Sequence, residues 1–203
     1  MGCSFPWTSK KLKAEMPCYI CVIGGPGSGK TTQSKYILQL VGYEYISTGQ
    51  ILRQALVNHK LSNSENIKQR IKEGKPVDSD IIIKLLKDSI EKQREKHIVL
   101  DGFPINEQNF EAWNVNMKEK LNAIFYLEVT EDEMKRRLIK RNERNDDNES
   151  SIKERIKHFN YETKPLIEYL RDRGRITIFD GMKSKEELNK DIRAEIMKRK
   201  LFN

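Results

Sequence analysis

One glycine-rich stretch holds the residues whose types and spacing point most directly to chemistry. Gly24, Gly29, Lys30 and Thr31 occupy every fixed position of the pattern G-x-x-x-x-G-K-[ST], directly after an apolar run. Glycines let the backbone curl so that successive N–H groups face inward, and with the positive end of a following helix they form an anion cradle. A lysine here reaches outer phosphates, and the threonine hydroxyl suits Mg²⁺. The pattern predicts a phosphate-binding loop, and the alternative is a glycine-rich turn that binds nothing.

An acidic residue that follows a second apolar run is the next candidate. Asp101 comes directly after Ile98, Val99 and Leu100, which is the place of the second acidic residue in phosphate-loop sites. A carboxylate there holds Mg²⁺ through water, whereas the alternative is a polar cap at the end of a strand. We expect Thr31 and Asp101 to share the metal.

Arginines concentrate around an acidic pair at residues 146–147. Arg137 and Arg141 lie four residues apart, so a helix places them on one face. Arg144 and Arg155 lie on either side of the pair. A transferring phosphoryl group spreads negative charge over its oxygens, and guanidinium groups match that distribution. We interpret the arginines as a phosphoryl clamp in preference to a solvated charged face.

The composition of the chain limits which kinds of binding partner can be expected. The chain has 203 residues, enough for one domain, and its 38 lysines and arginines exceed 30 acidic residues, a net charge of +8. We attribute most of this excess to a lysine-rich surface, although an anionic partner also fits. Basic runs interleaved with aromatic residues are absent from the sequence, so a nucleic-acid partner is not expected. The sequence also lacks an apolar run of the roughly 20 residues that a membrane span needs.

The N-terminal stretch is expected to be an untethered tail over residues 1–17. Its first residues, Met1-Gly2-Cys3, resemble an acylated anchor, but Pro6 stands where myristoylation requires Ser or Thr. Cys18 and Cys21 lie three residues apart in a predicted strand and therefore face opposite sides of it. We therefore expect both thiols to be buried and inert. Cys3 leaves an odd number of cysteines in a sequence without a signal-peptide pattern, which favours a reducing, cytoplasmic location.

Apolar strands that alternate with helices predict an α/β protein with a parallel five-stranded sheet, flanked by helices as in P-loop NTPases. The predicted strands are Tyr19–Ile23, 43–46, 98–100, 123–129 and 175–179. Helices are expected to begin with caps at Ser47 or Thr48, at Asp78–Asp80, at Thr130 and at Ser184, and one long helix is expected to be interrupted at Pro165. Ligands of such sheets bind beyond the carboxyl ends of the strands.

Several motifs in this order resemble nucleoside monophosphate kinases of the adenylate/UMP-CMP kinase family. The matching segments are G-G-P-G-S-G-K-T-T-Q from Gly24, S-T-G-Q-I-L-R from Ser47, G-K-P-V from Gly74, L-D-G-F-P from Leu100, N-D-D-N from Asn145, Arg155, and Y-E-T-K-P from Tyr161. The resemblance implies transfer of the γ-phosphoryl of MgATP to a nucleoside monophosphate. It also implies one kinase domain over residues 18–203, with a small helical monophosphate-binding lobe at 47–77 and a short lid at 141–150.

The resemblance assigns roles residue by residue. It implies that ATP is bound by Gly25, Pro26, Gly27, Ser28, Gly29, Lys30, Thr31, Thr32, Arg137 and Lys183. It implies that the monophosphate is bound by Thr48, Arg53, Val77, Gly102, Asn109, Arg144 and Arg155. It assigns catalysis to Lys30, Arg141, Arg144 and Arg155, with Thr31 and, through water, Asp101 holding Mg²⁺. Separately, we expect the chain to be a monomer.

The residues expected to bind the monophosphate include those that indicate which base is preferred and those that depart from the family pattern. Asn109 and Trp113 are spaced as in UMP-CMP kinases, where an asparagine reads the pyrimidine, whereas the alternative is a surface asparagine beside a packed tryptophan. Ile105 replaces the arginine of D-G-F-P-R, Gln50 replaces an aspartate, and the lid is about three residues shorter than usual. AMP as the acceptor, or a nucleotide-binding regulatory module with weak or absent kinase activity, therefore remain alternatives to UMP/CMP kinase activity.

Overall fold

Five short apolar runs form one parallel sheet. The computed structural model describes residues 17–41, 43–58, 64–73, 75, 77–93, 97–141 and 149–201. The strands are β1 Cys18–Gly24, β2 Glu44–Ser47, β3 His97–Asp101, β4 Ala123–Glu128 and β5 Thr177–Asp180. They lie in the order β2-β3-β1-β4-β5, and every neighbouring pair is parallel. The predicted five-stranded α/β sheet is confirmed.

Helices cover both faces of this sheet. They are α1 Lys30–Val41, α2 Thr48–Val57, α3 Ser64–Lys72, α4 Ser79–Ile90, α5 Glu107–Asn116, α6 Glu131–Arg141, α7 Glu149–His158, α8 Lys164–Asp172 and α9 Lys185–Lys198. Over the described residues, none of them is both long enough and apolar enough to cross a bilayer.

The central strand β1 is buried on both sides. Its alternate residues enter two different apolar clusters, so Cys21 lies in one cluster and Cys18 in the other. Burial raises the pKa of both thiols. The two cysteines are therefore buried, point to opposite faces of the sheet and remain protonated, as their spacing predicts.

The helix starts match the predicted capping in part. Ser184 caps α9 through a reciprocal pair with Glu187, in which each side chain bonds the other residue's backbone N–H. Ser47 and Asp78 occupy the cap positions of α2 and α4, as predicted. Neither side chain makes the capping hydrogen bond, so the predicted side-chain capping is wrong at these two helices. At α2, the hydroxyl of Thr48 also bonds elsewhere, because it donates to carbonyl oxygens that follow β3.

The predicted interruption near Pro165 is a π-helical turn over Phe159–Thr163, between α7 and α8. The N–H of Lys164 donates to the carbonyl of Phe159, five residues back. Proline has no N–H to continue an α-helical ladder, so the regular bonding pattern must change before it. The irregularity thus lies on the N-terminal side of Pro165, where Phe159 and Thr163 are buried.

Candidate active site

The carboxyl ends of three neighbouring strands meet at one end of the sheet. In the register of the strands, Ser47 of β2 and Val22 of β1 both lie opposite Asp101, the last residue of β3. Gly24 ends β1 two residues later and opens the glycine-rich loop. The phosphate-loop residues and Asp101 are therefore neighbours, as the rule for open α/β sheets predicts.

A cavity of about 370 Å³ opens at this end of the sheet. Its lining includes the loop and first turn Pro26–Thr32, and the acceptor-side residues Thr48, Arg53 and Gly102. Arg155 of α7 also lines it. The structure thus brings predicted donor residues, predicted acceptor residues and one predicted clamp arginine to a single space.

Backbone geometry explains the glycines of the loop. Gly27 and Gly29 have φ values of 76° and 92°, which L-residues with side chains rarely adopt. A Cβ on Gly24 would lie 2.7 Å from the hydroxyl oxygen of Ser28 and 2.9 Å from the carbonyl oxygen of Leu127. Glycine is therefore needed at positions 27 and 29 for the backbone conformation, and at position 24 because there is no room for a side chain.

Lys30 bends back over the loop that precedes it. Its ammonium nitrogen donates to the carbonyl oxygens of Gly24 and Gly25, each at 2.8 Å. The ammonium is thereby held against the first turn of the glycine-rich loop. This arrangement places a positive charge where the loop can hold phosphate oxygens.

The Asp101 carboxylate is buried, with 3% of the residue exposed, and accepts two hydrogen bonds on the same oxygen. The hydroxyl of Thr31 donates to Oδ2 at 2.7 Å, and the phenol of Tyr45 donates to Oδ2 at 2.7 Å. Burial, reinforced by the nearby Asp101 charge, raises the pKa of Tyr45 to about 12, so the phenol stays protonated. Sequence reasoning missed Tyr45, because only the strand order shows that β2 runs beside β3.

Thr48 and Gly102 fix the backbone after β3. The Thr48 hydroxyl donates to the carbonyl oxygens of Asp101 and Gly102, at 3.1 and 2.9 Å. Gly102 has a φ of 77°, and a Cβ there would lie 3.2 Å from the Thr48 hydroxyl oxygen. The Arg53 guanidinium folds over Gly49, where a Cβ would lie 3.3 Å from Nη1. The start of α2 is thereby tied to the end of β3.

Three predicted donor residues, Gly25, Arg137 and Lys183, lie outside the cavity lining. Arg137 donates to Glu133 at 2.6 Å and to the carbonyl oxygen of Gly181 at 2.8 Å. A Cβ on Gly27 would lie 3.6 Å from the Cβ of Arg137, so this arginine flanks the phosphate loop. Lys183 pairs with Asp191 at 2.7 Å, and this hydrogen bond is the main cause of its raised pKa.

Two predicted acceptor residues, Asn109 and Val77, also lie outside the cavity lining. Asn109 is 2% exposed, and its amide nitrogen donates to the Ser79 hydroxyl at 2.7 Å. Its carbonyl oxygen accepts from the N–H of Ile105 at 3.3 Å. The predicted base reader is thus engaged within the protein, and Trp113 is fully buried. Val77 packs against the main apolar cluster.

Several cavity residues were not singled out as site residues from sequence. These are Lys75, Pro104, His158, Phe159 and Thr163. His158 follows Arg155 by three residues on α7, so helical spacing from that arginine was a usable signal. Ile105 also lines the cavity, which places the departure from the family arginine on the site itself.

Part of the predicted clamp falls outside the described residues. Arg144, the acidic pair at 146–147 and most of the lid predicted at 141–150 lie there, as does the side chain of Arg141. Their roles, like the division into lobe and lid, stay predictions.

The donor set at Thr31 and Asp101 fits magnesium. Within the described ranges, no cluster of three or more His, Cys, Asp or Glu residues could hold a metal by itself. Mg²⁺ prefers oxygen ligands and is usually held by one or two protein oxygens together with water and substrate phosphates. A hydroxyl beside a buried carboxylate, next to a phosphate loop, supplies such oxygens.

The parallel sheet, the loop at its switch point and the Thr31–Asp101 pair define a P-loop nucleotide-binding protein. A family model described as adenylate kinase matches residues 22–175. The chain therefore belongs to the adenylate kinase family, which confirms the resemblance and the predicted enzyme class, a nucleoside monophosphate kinase.

Curated relatives align over most of the chain. UMP-CMP kinase 3 of Arabidopsis thaliana is 36% identical over 179 residues, covering 88% of each protein. UMP-CMP kinase 1 of Oryza sativa subsp. japonica is 34% identical over 192 residues, covering 94% of this chain and 76% of the relative. The UMP-CMP kinase of Homo sapiens is 34% identical over 183 residues, covering 85% of this chain and 93% of the relative.

Proposed function

We propose that this nucleoside monophosphate kinase transfers the γ-phosphoryl of MgATP to UMP or CMP. The observation that carries the proposal is the single cavity that joins the phosphate loop to Arg53 and Arg155. The relatives named UMP-CMP kinases support the acceptor. We further propose that the chain acts as a monomer in the cytoplasm.

On the donor side, the backbone N–H groups of the loop and the ammonium of Lys30 would hold the phosphates of ATP. The bonds of Lys30 to the carbonyl oxygens of Gly24 and Gly25, which hold its ammonium against the loop, support this role. Arg137, fixed by Glu133 and Gly181, would lie against the donor base beside Gly27. Thr31 and Asp101 would hold Mg²⁺, which supplies charge neutralisation of the transferred phosphoryl group.

On the acceptor side, Arg53 and Arg155 would hold the monophosphate, whose phosphate oxygen is the nucleophile. Placing two charged reactants in line is the main catalytic task in such a transfer, so positioning and cationic groups suffice. Segment 47–77 would close over the monophosphate and exclude water that would hydrolyse ATP. Ile105 lines the cavity where the family pattern has an arginine. Because an isoleucine carries no charge, we expect the monophosphate to bind more weakly than it would with an arginine at this position.

The test is a coupled ADP-release assay with ATP and each of UMP, CMP, AMP and GMP at equal concentrations. We expect turnover with UMP and CMP that exceeds turnover with AMP. Dominant AMP turnover would overturn the acceptor assignment alone. Measurable ATP binding without turnover of any monophosphate would overturn the enzyme assignment and favour a regulatory nucleotide-binding module.

A further inference from the structure

Tyr45 stands apart from the residues assigned so far, because nothing in the phosphate-loop pattern requires a phenol here. Tyr45 lies on β2, opposite Val99 of β3, and reaches the carboxylate at the end of that neighbouring strand. Its hydroxyl and that of Thr31 come from different elements and meet the same oxygen of Asp101. The carboxylate is thus held from two directions.

Both hydrogen bonds are 2.7 Å long, a normal length for well-formed O–H···O bonds. A buried carboxylate without hydrogen-bond partners is costly, so each donor contributes to holding the Asp101 side chain in place. Two donors on Oδ2 also restrict rotation of the carboxylate, which sets where Oδ1 points.

The contacts of Asp101 divide between the two substrate sides. Thr31 follows the lysine of the donor loop, whereas Tyr45 lies three residues before Thr48, which bonds the backbone carbonyl of Asp101. Asp101 is therefore tied to the segment leading into α2 through its side chain and through its main chain. We therefore expect a change in that segment to alter the position of the carboxylate.

We propose that Tyr45 is a positioning residue that orients the Asp101 carboxylate for metal-bound nucleotide. The inference rests on the proposed function, since it presupposes that Thr31 and Asp101 serve Mg²⁺. The competing reading is that the phenol merely satisfies a buried polar group. That reading predicts a loss of stability with no change in the preference for MgATP over metal-free ATP.

The test compares Tyr45→Phe with the unmodified full chain by calorimetric titration of ATP, once with Mg²⁺ and once with a chelator. The measured quantity is the ratio of the metal-free to the Mg²⁺-containing dissociation constant. Tyr45→Phe keeps the half-buried ring, so folding is retained and only the hydroxyl is lost. We expect the ratio to fall roughly tenfold, the effect of one hydrogen bond to a charged group.

Tyr43→Phe is the matched control. Tyr43 lies just before the same strand, but its phenol bonds the Leu201 carbonyl oxygen and Cys18, far from Asp101. We expect this variant to change the unfolding midpoint and to keep the unmodified ratio. If both variants keep the ratio, the inference is overturned while the magnesium role stands.

A double-variant cycle provides a second readout. If Tyr45 acts through the carboxylate, Tyr45→Phe changes the ratio in the unmodified chain but has no further effect on the ratio in an Asp101→Asn background. An equal effect in both backgrounds would overturn the inference. If the unmodified chain itself binds ATP equally with and without Mg²⁺, the proposed magnesium role fails first, and the inference fails with it.

Discussion

The donor and acceptor sides of the cavity are built by different means. On the donor side, main-chain groups of the loop and Lys30, which bonds its own loop, create the site within a few consecutive residues. On the acceptor side, Arg53 of α2, Ile105 before α5 and Arg155 of α7 come from separate segments of the chain. A site made from local backbone tolerates little change, whereas one assembled from distant side chains can be altered one residue at a time.

This contrast accounts for where the chain departs from its family pattern. The loop fills every fixed position, and a Cβ at Gly24 or Gly25 would come within 3 Å of neighbouring atoms. Ile105, by comparison, contributes an apolar wall to the cavity in place of a charge. Variants on the two sides should therefore differ in the sign of their effects as well as in size.

The largest effect is expected on the donor side. Lys30→Ala removes the cation held against the loop and should lower kcat by about 10²–10³-fold, the usual cost of losing one transition-state donor. Steady-state kinetics with UMP measures this. Lys35→Ala, an exposed lysine on the same helix, is the control and should leave kcat unchanged. A loss below tenfold in Lys30→Ala would remove the contrast between the two sides.

A gain is expected on the acceptor side. Ile105→Arg adds a guanidinium to the cavity wall and should raise kcat/KM for the monophosphate about ten- to hundredfold, through a charge-assisted bond to its phosphate. Kinetics at saturating ATP measures the change. Val115→Arg adds the same charge at a site 81% exposed and outside the cavity lining, and should have no effect. An unchanged or lower kcat/KM in Ile105→Arg would show that this wall is organised in another way.

The smallest effect concerns the support of Arg137. Hydrogen bonds from Arg136 and Arg137 lower the pKa of Glu133 to about 2 from an ordinary 4.5. Ionised Glu133 therefore stabilises the folded chain fully above about pH 4.5, and this contribution is lost as the pH falls towards 2. Unfolding by urea at several pH values should show a small stability advantage over Glu133→Gln that shrinks across this window. An advantage that stays constant would show that the hydrogen bonds from Arg136 and Arg137 do not lower the pKa of Glu133.

The parts of the fold and site that could be predicted are those encoded by neighbouring residues. The glycine-rich loop, the buried run of β1 and the capping box at Ser184 each involve contacts within a few positions. The position of Asp101 could also be predicted, because it ends an apolar run and the carboxyl ends of parallel strands lie together at one edge of such a sheet.

The rest depended on which elements lie side by side. The Tyr45 contact requires β2 to neighbour β3, and Asn109 meets a serine 30 residues away. Neither relation leaves a periodic signal in the sequence. The position of the helix irregularity was also hidden, since Pro165 signals an interruption without stating on which turn the bonding changes.

The π-helical turn has a consequence for how the wall of the cavity could evolve. Each α-helical residue advances the side-chain direction by about 100°, so one residue more or less in Phe159–Thr163 acts as a rotation of one helix against the next. Deleting a residue there would leave Leu166 and Ile167 in the core and turn Arg155 away from the cavity. The turn therefore sets how far α7, whose Arg155 lines the cavity, is rotated about the helix axis relative to α8, which packs in the core.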